Sequence, residues 1–258
     1  MQYDLTRPNA GRIIDYWLGG KHNFEIDRQM AEQVMQKFPR VVEVARVHRS
    51  MVKRGIQYFY ARGIRAILDF GSALPTCENT HQVAHTIDPT IRVVYSDIDP
   101  ITVAYGQELL QGNPNAIYLQ CDAATPELVL NSPEARNLLG NEQRVGIVFL
   151  AVAHVIPDGR LRAAWQTLYE WVAPDSYMLV SNASERWKTD PDLIPITRLY
   201  DRADLPGQYR TPAELAALVP PWQLMTEGVV DFMYWSTTPP PAPPQRALAY
   251  GMMVYKSE

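Results

Sequence analysis

Cysteine is nearly absent from this chain of 258 residues: Cys77 and Cys121 are the only two, too few for a disulfide framework and not spaced as metal ligands. A basic surplus is missing as well. The 24 Lys and Arg are outnumbered by 28 Asp and Glu, a formal charge of −4, so the chain lacks the field that an extended nucleic-acid groove requires. The local concentration of Arg40, Arg46, Arg49, Lys53 and Arg54 reads as a solvated helix face. No apolar run approaches the roughly 20 residues of a membrane span. The opening Met1-Gln2-Tyr3-Asp4 shows no basic, apolar, small-residue progression, so no signal peptide is expected. These absences predict a soluble, reduced, cytoplasmic protein with neither nucleic acid nor membrane as partner. Of the histidines, only His81 and His85 have one-turn helical spacing; with no glutamate or third ligand beside them, no metal is expected.

What is present is an ordinary globular composition, 47% apolar and 20% charged. Residues 7–62 read as helical, with Ala31 to Phe38 stopped by Pro39 and a longer stripe from Val41 to Tyr60 closed by Gly63. The chain then alternates: strand 66–70, helix 78–87, strand 92–96, helix 100–111, strand 116–120, helix 126–138, strand 145–152, helix 158–172 and strand 177–182. Such alternation predicts an α/β fold with a parallel sheet covered on both faces. A short helix is expected from Pro212 to Leu218, capped by Thr211. The runs Trp222 to Trp235 and Ala247 to Tyr255 leave no room for a crossover helix and are expected to pair as an antiparallel hairpin. Their link, residues 237–244, is proline-rich and reads as a stiff surface loop, with an SH3-type ligand as the alternative. One domain, 1–258, follows: a helical cap over 1–62 and a core over 63–258.

Three of the strands end on acids. Ala66-Ile67-Leu68-Asp69-Phe70-Gly71 runs into a glycine turn, Arg92 to Asp97 ends on a carboxylate, and Ala116 to Asp122 does so again. In an open parallel sheet, ligands sit outside these strand tips. The turn lacks the second glycine of a dinucleotide fingerprint, Ala73 standing there, and Pro75 has no N–H for a phosphate, so S-adenosylmethionine is favoured over NAD. Asp99-Pro100 fits a helix N-cap, which leaves Asp97 without that duty and able to accept both ribose hydroxyls, a turn-forming Asp being the alternative. Asp122 either accepts from the adenine amino group or forms an Asx turn, the next helix having a cap in Thr125. Asp69 orders the turn or takes the donor's ammonium through water.

The chain resembles a class I S-adenosylmethionine-dependent methyltransferase, and more narrowly a bacterial, actinobacterial-type S-adenosyl methyltransferase family. The resemblance rests on Arg12 to Arg28 with its Tyr16-Trp17-Leu18-Gly19-Gly20-Lys21-His22-Asn23-Phe24 core, on Leu68 to Thr76, on Val94 to Pro100, on Ala153 to Asp158 and on Gly251 to Lys256. Family members usually carry Gly where Ala73 stands and Asp where His22 stands. The resemblance implies a Rossmann-like, seven-stranded, mostly parallel sheet whose last strand is antiparallel, with the N-terminal segment folded over the donor. In this reading the two glycines let backbone lie against ligand, Gly20 and Asn23 contact the methionine end, and Arg49 pairs with its carboxylate; a C-capped helix with Lys21 in solvent is the alternative. Ile98, Ala123 and Ala151 complete the donor set. His154, at the fourth strand tip, is the candidate base or simply bonds a loop carbonyl. Tyr16, Trp17, Lys21, His22 and Trp187 are candidates for the acceptor side.

The expected activity is methyl transfer to oxygen or nitrogen of a small-molecule acceptor, yielding S-adenosylhomocysteine. A non-catalytic donor-binding module is the alternative, and an NAD-dependent dehydrogenase a lesser one.

Overall fold

In a computed structural model the protein is described over residues 6–74, 78–235 and 247–258. Pro75 and Cys77, the start Met1 to Asp4 and the proline-rich link 237–244 lie outside the described residues.

Three helices come first: α1 (Ala10–Trp17), α2 (Glu25–Lys37) and α3 (Val41–Ala61). The alternating part follows as β1 (Ala66–Phe70), α4 (Thr80–Ile87), β2 (Arg92–Asp97), α5 (Pro100–Leu109), β3 (Ala116–Gln120), α6 (Glu127–Leu130), α7 (Pro133–Leu139), β4 (Gly146–Phe149), α8 (Asp158–Trp171) and β5 (Tyr177–Ala183). Then come α9 (Arg186–Thr189), α10 (Ile194–Arg202), α11 (Pro212–Ala216), β6 (Gln223–Leu224), β7 (Val230–Asp231) and β8 (Ala249–Tyr255).

The sheet runs β3-β2-β1-β4-β5-β8-β6, with β7 also paired to β8. β1 to β5 are parallel; β8 is antiparallel to β5, β6 and β7. Every residue of β1 and β4 is buried, as expected of strands covered on both faces. Alternate side chains feed separate cores: Leu68, Phe70, Ile147 and Phe149 join the cluster around Trp165 of α8, whereas Ile67, Val93 and Val148 join the one around Phe59 of α3. A third cluster lies outside the sheet, where Ile13, Met30, Ala31, Val34 and Val41 of the N-terminal helices meet Leu193 and Ile196 at α10.

The α/β reading and the parallel order hold, with several corrections. The described residues contain eight strands rather than seven, because the 222–235 run breaks at a turn where Gly228 has φ 72°. The helix expected over 126–138 is two, interrupted before Pro133, with the Ser132 side chain capping the second. Strand 145–152 stops at Phe149, and Ala151 adopts a left-handed φ of 56° two residues on. Thr125 does not cap α6; its hydroxyl bonds the Asp122 carbonyl. α9 and α10 are additional to the expected elements; α10 carries Pro195 in its first turn, where proline is tolerated.

Candidate methyl-donor site

Chain order reverses between β1 and β4: from β1 the sheet proceeds to β2 on one side and to β4 on the other. This switch point is where an open α/β sheet leaves a crevice. Asp69, Gly71 and Ala73 leave β1 there. Gly71 has φ 61°, and a Cβ on it would lie 2.3 Å from Cγ2 of Val152, so only glycine fits between the turn and the β4 tip. Ala73 also holds a left-handed φ of 54°.

Asp97 ends β2 beneath this turn. Its Oδ2 accepts the Ala73 amide at 3.1 Å and its Oδ1 the Asp99 amide at 3.0 Å. Asp97 thus has the turn-forming role that the sequence offers as its alternative, tying the two turns together, and each oxygen keeps a lone pair for a further donor. Burial pushes its carboxyl up to about 6, against the pull of those amides. Asp99 caps α5, as expected, through the Thr102 amide at 3.0 Å. Asp69 is buried and accepts the Thr80 hydroxyl at 2.5 Å; burial pushes it up to about 7, opposed by Thr80 and by the nearby Arg49 guanidinium. Arg49 reaches the turn, with Nη2 3.4 Å from the Leu74 carbonyl. Ile98 leaves 61% of its surface exposed beside buried Asp97, an apolar face at the strand tip.

Asp122 forms the Asx turn, accepting the Ala124 amide at 2.9 Å through Oδ1, while Oδ2 pairs with Arg160 at 2.8 Å. Ala123 beside it is buried. At the β4 tip the Ala151 amide donates to Ser181 Oγ at 2.8 Å. His48 Nδ1 lies 3.2 Å from the Val44 carbonyl, which a ring N–H must serve. Nε2 is then the acceptor, taking the Ser181 hydroxyl at 3.2 Å. His154 follows in a 3₁₀ turn, Ala153–Val155, and its buried Nδ1 has no hydrogen-bond partner among the described residues. Burial, with His48 and Arg210 nearby, pulls His154 down to about 4, so the imidazole is neutral at physiological pH. Arg210, which the sequence did not single out, braces this loop by donating to the Ala153 and Ile156 carbonyls, to Asn182 Oδ1 and to Asp158.

The cap meets this edge at two points. A Cβ on Gly11 of α1 would lie 3.0 Å from that of Ala73, and the His22 ring packs edge-on against Tyr105 of α5 at 5.1 Å. The Gly-Gly motif has a local explanation. Gly19 and Gly20 close α1 through bonds to the Tyr16 and Asp15 carbonyls, the Schellman pattern, with Gly19 at φ 81°. A Cβ on Gly20 would sit 2.0 Å from Asp15 Oδ1, so that glycine makes room for a buried carboxylate. Asp15 in turn accepts the His22 amide and Asn23 Nδ2, and Arg28 donates to Asn23 Oδ1. Asn23 is thereby engaged within the loop, its Nδ2 also donating to the Gly20 carbonyl at 3.1 Å, and Lys21 is exposed. Tyr16, Trp17 and Trp187 come together in the third apolar cluster. Tyr16 bonds Glu32, Trp17 the Ala31 carbonyl and Trp187 the Leu248 carbonyl. His81 and His85 spend ring nitrogens on Tyr95 and on the Ile91 carbonyl. Among the described residues no helix is long and apolar enough to cross a membrane.

The residues fit a sulfonium nucleoside. A buried acid pushed to about 7 at the β1 tip gains from a nearby cation such as the methionine ammonium, and Asp97 beneath an exposed Ile98 offers acceptors next to an apolar platform.

A family model described as S-adenosyl methyltransferase matches residues 1–255. A crystal structure of a candidate methyltransferase from Thermobifida fusca is similar at 30% identity, TM-score 0.88, covering 99% of this chain and 97% of that one. A DUF574 family protein from Streptomyces avermitilis is similar at 27% identity and TM-score 0.87, covering 99% of this chain and all of that one (100%). At 15% identity and TM-score 0.52, the magnesium protoporphyrin IX methyltransferase of Synechocystis with bound S-adenosylhomocysteine covers 84% of this chain and 87% of its own, and shares the fold. No protein of curated function matches. With strand order, switch-point turn and whole-length match in agreement, the chain belongs to the S-adenosyl methyltransferase family and is an S-adenosylmethionine-dependent methyltransferase.

Proposed function

We propose that the β1–β2–β3 edge holds S-adenosylmethionine and that the protein methylates oxygen or nitrogen of a small molecule. The observation that carries the reading is the left-handed turn Gly71–Ala73 at the switch point, its amide fixed by Asp97. In this assignment Asp97 accepts the ribose hydroxyls and Ile98 packs on the adenine. Asp122 accepts the adenine amino group once Arg160 shares or yields its Oδ2. Asp69 faces the ammonium and Arg49 the carboxylate, while Gly71, Ala73, Ala123 and Ala151 supply close walls. The whole chain, 1–258, acts as one unit, with 1–62 as the cap.

The donor, when bound, supplies an electrophilic methyl group on a positively charged sulfur. The protein's task is then to aim a lone pair along the sulfur–methyl axis and keep water out, an orientation effect worth up to roughly 7–11 kcal/mol. His154 at about 4 holds a proton too weakly to act as a strong base at neutral pH. It suits a hydrogen-bond acceptor that orients the nucleophile, and this favours amines, phenols or carboxylic acids over alkyl alcohols. The acceptor side lies between the β4–β5 tips and the cap.

Calorimetric titration with S-adenosylhomocysteine tests the site. Micromolar binding, weakened at least about tenfold by Asp97→Ala, a loss near 1.4 kcal/mol, is expected; unchanged affinity removes the assignment. Turnover on a panel of small amines, phenols and acids then identifies the acceptor class.

A further inference from the structure

Tyr118 of β3 is 2% exposed and stacks on Tyr95 of β2, with ring centroids 5.5 Å apart and planes 14° from parallel. Its ring occupies a slot that α5 leaves open: a Cβ on Gly106 would come 2.2 Å from Tyr118 Cδ2. Through that slot the phenol reaches the carboxyl edge, where its hydroxyl donates to the Ala73 carbonyl at 2.7 Å. A phenol has one proton to give, so the Ser72 hydroxyl, 2.8 Å away, is the donor in their mutual bond. Ala73 is thus held at both ends, its amide by Asp97 and its carbonyl by Tyr118, in a backbone conformation that L-residues avoid.

We infer that Tyr118 is a positioning residue for the methyl donor: it acts from beneath the sheet edge, through the Ala73 carbonyl, to hold the left-handed turn in its binding conformation. The inference rests on the donor site proposed above. Released from the phenol, an alanine at φ 54° relaxes toward ordinary backbone angles and turns its amide off Asp97. Glycine at the same position occupies the left-handed region without steric cost and needs no such restraint.

The test is a set of S-adenosylhomocysteine titrations on the full chain as wild type, Tyr118→Phe, Ala73→Gly and the double variant, with melting curves alongside. Tyr118→Phe keeps the ring in its slot and is expected to fold. A loss of one hydrogen bond predicts binding about fivefold weaker. Because residue 73 itself lines the proposed site, Ala73→Gly serves only as the reference for the double variant: adding Tyr118→Phe to Ala73→Gly is expected to weaken binding less than twofold. A tyrosine that merely stabilised the core would not be rescued by glycine at 73. Equal binding by wild type and Tyr118→Phe overturns the inference, as does a Tyr118→Phe loss as large in the Ala73→Gly background as in the wild type. Absence of binding by wild type overturns the donor site itself, and the inference with it.

Discussion

Arg12 of the cap and Asp99 of the core form an ion pair at 3.0 Å, and the same guanidinium binds Asp27 at 2.8 Å. Arg12 is 2% exposed and Asp27 is fully buried at 0%, so the pair forms part of the interior. Asp99 is also the N-cap of α5, two residues beyond Asp97. The cap is therefore anchored to the residue that starts the helix behind the proposed ribose site. Arg12→Met leaves Asp27 buried with backbone amides alone for partners and is expected to cost about 3 kcal/mol of stability. Denaturant unfolding measures it; a loss below about 1 kcal/mol would show the bridge to be dispensable.

Buried acids and buried imidazoles oppose one another in the pH dependence of stability. Asp69 and Asp97 are pushed up to about 7 and about 6, so their stabilisation is complete below the unfolded carboxyl range and is lost as pH rises through those values. His48 and His154 are pulled down to about 4, so theirs is present above the unfolded imidazole value and is lost as pH falls toward 4. Asp69→Asn is expected to raise stability at pH 8 by on the order of 2 kcal/mol and to add nothing at pH 4.5. Melting temperatures of wild type and variant at the two pH values decide it.

Donor binding should also follow pH through Asp97. The ionised carboxylate is the acceptor for ribose hydroxyls, and protonation near 6 removes one acceptor oxygen. S-adenosylhomocysteine is expected to bind about tenfold more weakly at pH 5 than at pH 7, a one-proton linkage. In Asp97→Asn the Asp97 contribution to that slope disappears, the overall affinity being lower throughout. A wild-type affinity flat from pH 5 to 7 contradicts the assignment.

The Gly-Gly motif offers a test of local against ligand-facing roles. Gly20→Ala drives a methyl group into the Asp15 carboxylate and is expected to destabilise by about 1–3 kcal/mol, whereas Lys21→Ala, at an exposed position, stays within about 0.5 kcal/mol. Should Gly20→Ala melt as wild type does while losing donor affinity, the motif touches ligand after all.

The parallel strands were legible because each is a short apolar run, fully buried in β1 and β4 and on alternate residues in β3; β1 and β3 begin and end where the sequence places them. The switch-point turn was legible from an acid followed by glycine. The partners of these residues were not. Arg210 binds backbone and side chains 28 to 57 positions away, and Tyr118 reaches back 45 residues to Ala73, distances over which no periodicity speaks. Of the two amides that Asp97 accepts, that of Asp99 is two residues on and legible as a local turn, whereas that of Ala73, 24 residues back, is brought to it only by the folded sheet. The Gly-Gly motif was legible as a close backbone approach and as a helix C-cap, but not the group that Gly20 approaches, the Asp15 carboxylate.

The third apolar cluster joins the first forty residues to a helix that begins at Ile194. A chimera that takes the cap from one relative and the remainder from another would therefore confront Ile13, Met30 and Val34 with a foreign partner at Leu193 and Ile196. Any exchange of the amino-terminal segment has to carry α10 with it and to keep the acid that Arg12 meets at position 99.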